Sequence, residues 1–342
     1  MQRARKSSRQ SSARGRRRYR ATQAEEFGVS PMSDTSYRAV WDRRSSDDLA
    51  ALEAVDNSGS EAVAQATGQR AASAIAQAVA LEPEDVVLEL GCGAARIGRE
   101  LVGRCGQYVG TDISPNMIRV ASRRLAGYDN VRLEVLERTS LSMIANDSVD
   151  KAYSVAVLCH MDKEDLFLYL NEFARILKPG GLAYVETWNL ADPVGWERWM
   201  YEVNYWQRAD HSQRKDVARN QFCVAEEFQL YAERAGLDVL VCFRDSPWLQ
   251  MVVGRDLDAT SRKHHRLRLA EARSEIAYTP LFGQLFLDCI RVIYGDIHPL
   301  TALKSLEPMA GRPEAELYRI HIQGLWDQDP DRYGPPPESQ GR

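Results

Sequence analysis

Residues 86–93 read Val-Val-Leu-Glu-Leu-Gly-Cys-Gly, and an acid answers them at Asp112. Val86, Val87, Leu88 and Leu90 form a short apolar run of the kind carried by a parallel strand buried on both faces. Gly91 and Gly93 follow without a break. Glycine tolerates positive φ and lacks a Cβ, so backbone N–H groups there can approach a ligand closely. From Ala94 to Val102 the pattern predicts an amphipathic helix with Ile97 and Leu101 on one face. A second strand, Tyr108 to Thr111, leads to Asp112, about 20 residues past the glycines, where a nucleotide-fold acid grips ribose hydroxyls.

Strand, glycine loop, helix, strand and acid together describe a nucleotide-cofactor site. They depart from the dinucleotide pattern G-x-G-x-x-G, which needs glycine where this chain has Arg96. The stretch resembles motif I of class I S-adenosylmethionine-dependent methyltransferases, E/D-x-G-x-G-x-G: Glu89, Gly91 and Gly93 match, and Ala95 replaces the last glycine. Further matches follow in order. Asp112-Ile113-Ser114-Pro115-Asn116-Met117 is similar to D-x-S-x-x-M, and Asn146 to Asp150 resembles the turn before strand four. Cys159-His160-Met161 resembles the ending of that strand, and Ala174 to Thr187, ARILKPGGLAYVET, resembles a helix stop, tight turn and fifth strand. The resemblance spans residues 80–255, in the small-molecule branch that includes quinone- and polyketide-methylating enzymes.

What the resemblance implies is an α/β fold: a Rossmann-like, doubly wound seven-stranded sheet with an antiparallel last strand, plus helical additions at both ends. Third and fourth strands are expected at Val131 to Val135 and Ala152 to Leu158, and the terminal hairpin at Val239 to Phe243 and Leu249 to Gly254. The cofactor implied is S-adenosylmethionine. Glu89, Gly91, Cys92 and Gly93 would hold its methionine end, Asp112 the ribose, and Ile113, Met117, Glu137, Arg138 and Val155 would flank the rest. Either Glu137 or Arg138 falls where the family places an adenine-binding acid, depending on one inserted residue. His160, at the carboxyl end of a central strand, is the candidate general base on an acceptor hydroxyl; a packing histidine would occupy the same place.

Residues 32–80 read as a helical flap, with a helix start at Ser45 to Asp48, a turn at Asp56 to Ser60 and an Ala-rich run beyond. Tyr37 and Trp41 are its side chains to watch, either over the cofactor or packed on the sheet. Asp162 is expected to cap the helix that carries Leu166, Leu170 and Phe173. After strand five, residues 190–220 form an insertion whose Trp196, Trp199, Met200, Val203 and Trp206 fall at helical spacing, the pattern of a packing stripe or of an acceptor lid. Phe222 to Gly236 reads as the next helix. Residues 256–342 are a helical extension; Leu281, Phe282, Leu285, Phe286, Cys289, Ile290 and Ile293 form a stripe that either covers the core or makes a homodimer contact. From Asp327 the Asp/Pro-rich sequence reads as a frayed end.

Charge is uneven along the chain. Nine of the 44 Lys and Arg side chains lie in residues 1–20, which hold no acid, so the remainder carries 35 basic against 48 acidic residues. An acidic body gives no support to nucleic-acid binding. Residues 1–31 read as a disordered basic tail, an upstream start before a genuine one at Met32, or a transit peptide; a secretory signal lacks its apolar region. The six cysteines form no CxxC pair, so a reducing, cytoplasmic setting is expected and neither zinc nor a disulfide framework is. No apolar run approaches ~18 residues, so no integral membrane contact is expected. A small-molecule acceptor is the expected partner. Two rivals stand beside the enzyme: a catalytically silent S-adenosylmethionine-binding scaffold, and an NAD-linked oxidoreductase, which Arg96 and the terminal hairpin oppose.

Overall fold

A computed structural model describes residues 35–207 and 220–336. The basic tail of residues 1–31, the start at Met32 and part of the insertion, 208–219, lie outside the described residues.

Three helices precede the sheet: α1 (Thr35–Arg44), α2 (Asp48–Asp56) and α3 (Glu61–Val79). Asp47 caps α2 by accepting from the Ala50 amide at 2.9 Å, and Ser60 caps α3. The central strand β1 (Val86–Leu90) runs parallel to β2 (Gln107–Asp112) on one side and to β4 (Val149–Ser154) on the other. Between them come α4 (Gly98–Leu101), α5 (Pro115–Arg124) and β3 (Val131–Val135). The chain continues through α6 (Lys163–Ile176), β5 (Leu177–Asn189), α7 (Pro193–Trp206), β6 (Phe222–Cys223) and α8 (Ala225–Ala235). The hairpin β7 (Asp238–Phe243) and β8 (Trp248–Gly254) then adds antiparallel to β5. Sheet order is β3-β2-β1-β4-β5-β8-β7, so the chain reverses direction across the sheet between β1 and β4, the place where open α/β sheets bind ligands.

Strand alternation divides the core. Val87, Tyr108, Tyr153 and Tyr184 face α3, α5 and the helices that follow β8; Leu88, Val109, Ala152 and Val185 face α6 and α8. The apolar run of β1 is therefore the signature of a strand covered on both sides.

Boundaries shift where local geometry intervenes. The helix expected over Ala94 to Val102 shrinks to α4 and a 3₁₀ turn, because Ala95 sits at φ +54 and cannot continue a right-handed helix. Strand four begins earlier than expected and stops at Ser154; Ala156, at φ +55, turns the chain into a 3₁₀ segment, Leu158–His160. Strand five is longer at both ends than expected, since Gly180 bonds Arg255 and Trp188 pairs with Trp248. Phe222 and Cys223, read as helix, pair instead with Trp188 and Asn189, making an eighth short strand. Asp162 sits at the N-cap of α6 without a side-chain cap bond.

Beyond β8 lie α9 (Ala259–Glu271), α10 (Arg273–Ile276), α11 (Pro280–Tyr294), α12 (Pro299–Leu306), α13 (Pro313–Gln328) and α14 (Pro330–Tyr333). The end is not frayed through residue 336: Trp326 Nε1 donates to the Gly334 carbonyl at 2.8 Å and the Tyr333 hydroxyl to the Val292 carbonyl. The α11 stripe is spent inside the chain, with Leu285 and Cys289 against α12 and α13 and Ile290 beside Trp188 and Trp248; Ile293 keeps 37% exposure. Contrary to the sequence expectation, Arg273–Tyr294 is long and apolar enough to cross a membrane by composition; half of its apolar window is buried against the protein, and Thr279 starts a new helix within it.

Candidate active site

The glycine loop is held from below and behind. The Gly91 and Cys92 amides donate to the Thr111 carbonyl at 2.8 and 2.9 Å, and the Gly93 amide donates to Asp112 Oδ2 at 2.9 Å. Gly91 and Gly93 have φ of +72 and +51. A Cβ on Gly91 would collide with Val157, and one on Gly93 would stand 2.7 Å from Val55 Cγ1. The loop thus needs glycine for both conformation and space.

Asp112 ties the loop to the next helix. Its second oxygen accepts from the Ser114 amide at 2.8 Å, while Ser114 Oγ caps α5 by accepting from the Met117 amide at 3.1 Å. Burial pushes the Asp112 carboxyl up to about 6 against the pull of those amides. Glu89 is also buried and accepts from the hydroxyls of Tyr108 and Tyr153, the latter at 2.7 Å. Burial pushes it to about 7, although those bonds and the Arg96 cation favour its charged form.

Helix α1 bridges the carboxyl edge of the sheet. Asp42 Oδ1 accepts from Ser114 Oγ at 2.8 Å and from the Asn116 amide at 3.0 Å. Arg38 reaches the Leu136 carbonyl past β3 at 2.6 Å. The Tyr37 hydroxyl donates to Asp165 at 3.0 Å and accepts from the Asp162 amide at 3.1 Å. Between these anchors Trp41 meets the ring of His160 edge-on, at 4.9 Å between centroids.

The sequence-predicted residues separate into groups. Glu89, Gly91, Cys92, Gly93, Asp112 and Ile113 converge at the ends of β1 and β2. Val155 is half-buried at the end of β4, and His160 lies beyond it under Trp41. Met117 is 2% exposed and packs with Leu52, Ala64 and Ala94 beneath the loop. Glu137 and Arg138 are both exposed beyond β3, where it is the main chain of Leu136 that faces Asp112. Asp42, Arg38 and Val55 carry no motif and escaped the sequence reading; they join the site only because α1 and α2 fold back onto it.

A third buried carboxylate lies on β5, two strands from β1 across the sheet. Glu186, on β5, is 2% exposed and accepts from the Tyr184 hydroxyl at 2.9 Å, and Gln250 Nε2 donates to that same hydroxyl at 2.7 Å. Burial pushes Glu186 up to about 7. Beside it stands an aromatic wall in which Tyr278 stacks on Phe282 at 3.9 Å, Phe282 on Phe286 at 5.7 Å, and Trp188 on Trp248 at 4.2 Å. Helix α7 closes over this wall, joined to α11 by Tyr201 stacked on Tyr294 at 4.3 Å and by Glu197 with Arg291 at 3.1 Å.

Comparison with known proteins places this geometry. A family model described as a methyltransferase domain matches residues 87–181. The chain is 30% identical over 159 residues to 2-methyl-6-phytyl-1,4-hydroquinone methyltransferase of Synechocystis, covering 46% of this chain and 48% of that protein. It is 31% identical over 135 residues to demethylmenaquinone methyltransferase of Desulfitobacterium hafniense, covering 36% and 51%. The chain thus spans about half the length of the curated relatives it matches. Among solved structures, geranyl diphosphate C-methyltransferase from Streptomyces coelicolor superposes with a TM-score of 0.41 at 16% identity over 53% of this chain and 73% of that one.

Residues 87–181 thus match a methyltransferase domain, and the chain is similar to S-adenosylmethionine-dependent methyltransferases. The left-handed glycine loop leading to a buried, amide-held Asp112 fits S-adenosylmethionine as the cofactor.

Proposed function

We propose that this protein transfers a methyl group from S-adenosylmethionine to a small aromatic acceptor, a phenol or hydroquinone. The observation that carries the reading is Asp112: a buried carboxylate that fixes both the glycine loop and the α5 cap, under a roof made by α1. In this reading Asp112 takes the ribose hydroxyls and Ile113 lies against the adenine. Glu89 balances the cationic methionine end through the loop. Bound S-adenosylmethionine supplies an electrophilic methyl group that needs little activation. The protein's part is alignment and exclusion of water. Residues 37–80 act as the flap over the cofactor, and α7 with the helices after β8 closes the acceptor side. The relatives named for hydroquinone and demethylmenaquinone methylation, together with the aromatic wall around Trp188 and Tyr278, support the acceptor class.

Calorimetric titration with S-adenosylmethionine, S-adenosylhomocysteine and NAD tests the reading. Binding of the first two, lost in Asp112→Ala, is expected. Binding of NAD alone would overturn it, and cofactor binding without turnover of any phenol or hydroquinone would favour the silent scaffold.

A further inference from the structure

Glu186 calls for an explanation that the cofactor site does not provide. A glutamate in a strand covered on both faces carries a desolvation cost that packing does not repay. Among the described residues it enters no ion pair within 4.0 Å, and neither do Arg96 and Arg70, whose charges it feels. Its neighbours come from every element around it: Tyr184 on its own strand, Gln250 on β8, the Ala156 amide after β4, Arg96 after the glycine loop, Arg70 on α3 and Tyr278 before α11. Tyr278 and, on α13, His321 keep accessible surface. Val155, Ala156 and Arg96 are likewise only half-buried. A carboxylate thus stands at an aromatic wall, beside the end of β4 and within the electrostatic reach of Arg96, whose charge Glu89 also feels.

We propose that Glu186 is the base of the reaction, taking the hydroxyl proton of a phenolic acceptor seated against Tyr278, with Arg96 as the positioning cation. The assignment rests on the methyl-transfer reading above and names the acceptor side of that site. The acceptor's O–H bond breaks toward the Glu186 carboxylate, the electron pair freed on the acceptor forms the bond to the methyl carbon, and the pair of the broken carbon–sulfur bond stays on sulfur. Arg96, whose charge both carboxyls feel, steadies the phenolate as it forms. His160, roofed by Trp41, then serves as a wall of the cofactor cleft.

The test uses the full chain, radiolabelled S-adenosylmethionine and menadiol (2-methyl-1,4-naphthohydroquinone) under anaerobic conditions, with wild type, Glu186→Gln, Glu186→Asp and His160→Gln. Glu186→Gln is expected to slow transfer by at least about a hundredfold, the usual worth of a positioned base, while its affinity for S-adenosylmethionine stays within about twofold. The Asp variant should recover part of the rate, and wild-type kcat should rise through pH about 7, a limb absent from the Gln variant. Transfer at the wild-type rate by Glu186→Gln, or loss confined to His160→Gln, would overturn the assignment. So would a wild type that binds S-adenosylmethionine but neither binds nor methylates menadiol. A wild type that fails to bind S-adenosylmethionine would instead sink the methyl-transfer reading. Should Glu186→Gln fail to bind cofactor, the Asp variant and the wild-type pH profile decide.

Discussion

The indole of Trp41 stands edge-on to the imidazole of His160, with 66° between their planes, so α1 rests directly on the segment that follows β4. An aromatic pair of this kind is worth about 0.5–1.5 kcal/mol. Trp41→Ala and His160→Ala should each weaken S-adenosylmethionine binding by roughly three- to tenfold, and the double variant should cost little more than either one. Calorimetry on the four proteins of the cycle checks this; full additivity would place the two rings in separate roles.

Asp112 sets the pH dependence of cofactor binding. Its folded value is raised to about 6, so the carboxylate proposed to accept the ribose hydroxyls forms as pH rises through that range. Affinity for S-adenosylmethionine should therefore increase between pH 5 and pH 7. In Asp112→Asn it should be at least about tenfold weaker and lose this slope, since each lost charge-assisted bond costs about 1.5–3 kcal/mol. Titrations in buffers of different ionisation enthalpy report the proton release directly.

Glu89 bears on stability. Its folded value, raised to about 7, exceeds its unfolded one near 4.5, so ionisation favours the unfolded chain. Unfolding free energy should be full below pH 4.5 as far as this group is concerned and fall as pH rises to about 7. Glu89→Gln, which keeps an acceptor for Tyr108 and Tyr153, should be more stable than wild type at pH 8 by up to roughly 3 kcal/mol. Urea denaturation at pH 5 and pH 8 gives the comparison, and an unchanged difference between the two pH values would contradict it.

The loop residues should part company under substitution. Ala95 holds φ +54, a conformation costing a non-glycine residue about 1–2 kcal/mol, so Ala95→Gly should be neutral to stabilising by about 1 kcal/mol. Gly91→Ala meets both the same strain and the Val157 side chain, and should lose at least about 2 kcal/mol along with cofactor binding. Thermal denaturation with and without S-adenosylhomocysteine separates the two losses.

These residues also mark what could be read from sequence. Val86 to Gly93, Asp112 and the Ser114–Pro115 cap are local: an apolar run, turn chemistry and a helix start within one βαβ unit, each legible from neighbours in the chain. Glu186 was read only as one letter of a strand. The signal that could have found it is a glutamate between Val185 and Thr187 in a run otherwise apolar enough to be buried on both faces. Its partners could not be read, because Tyr184, Gln250 and Tyr278 meet only when the hairpin and the C-terminal helices have docked; Arg70 touches the Glu275 carbonyl across 205 residues. Helix α1 was not legible as a bridge across the sheet, since Asp42, Arg38 and Tyr37 find their partners 74, 98 and 128 residues away.

Those three anchors hold α1 near both of its ends, so a molecule beneath it leaves only when they release together. Spent S-adenosylhomocysteine would then depart more slowly than the methyl group moves. Mixed rapidly with excess substrates, the protein should give one fast equivalent of methylated product per active chain, followed by a slower steady rate, and cutting the Asp42 tether with Asp42→Ala should speed that second phase while leaving the first unchanged.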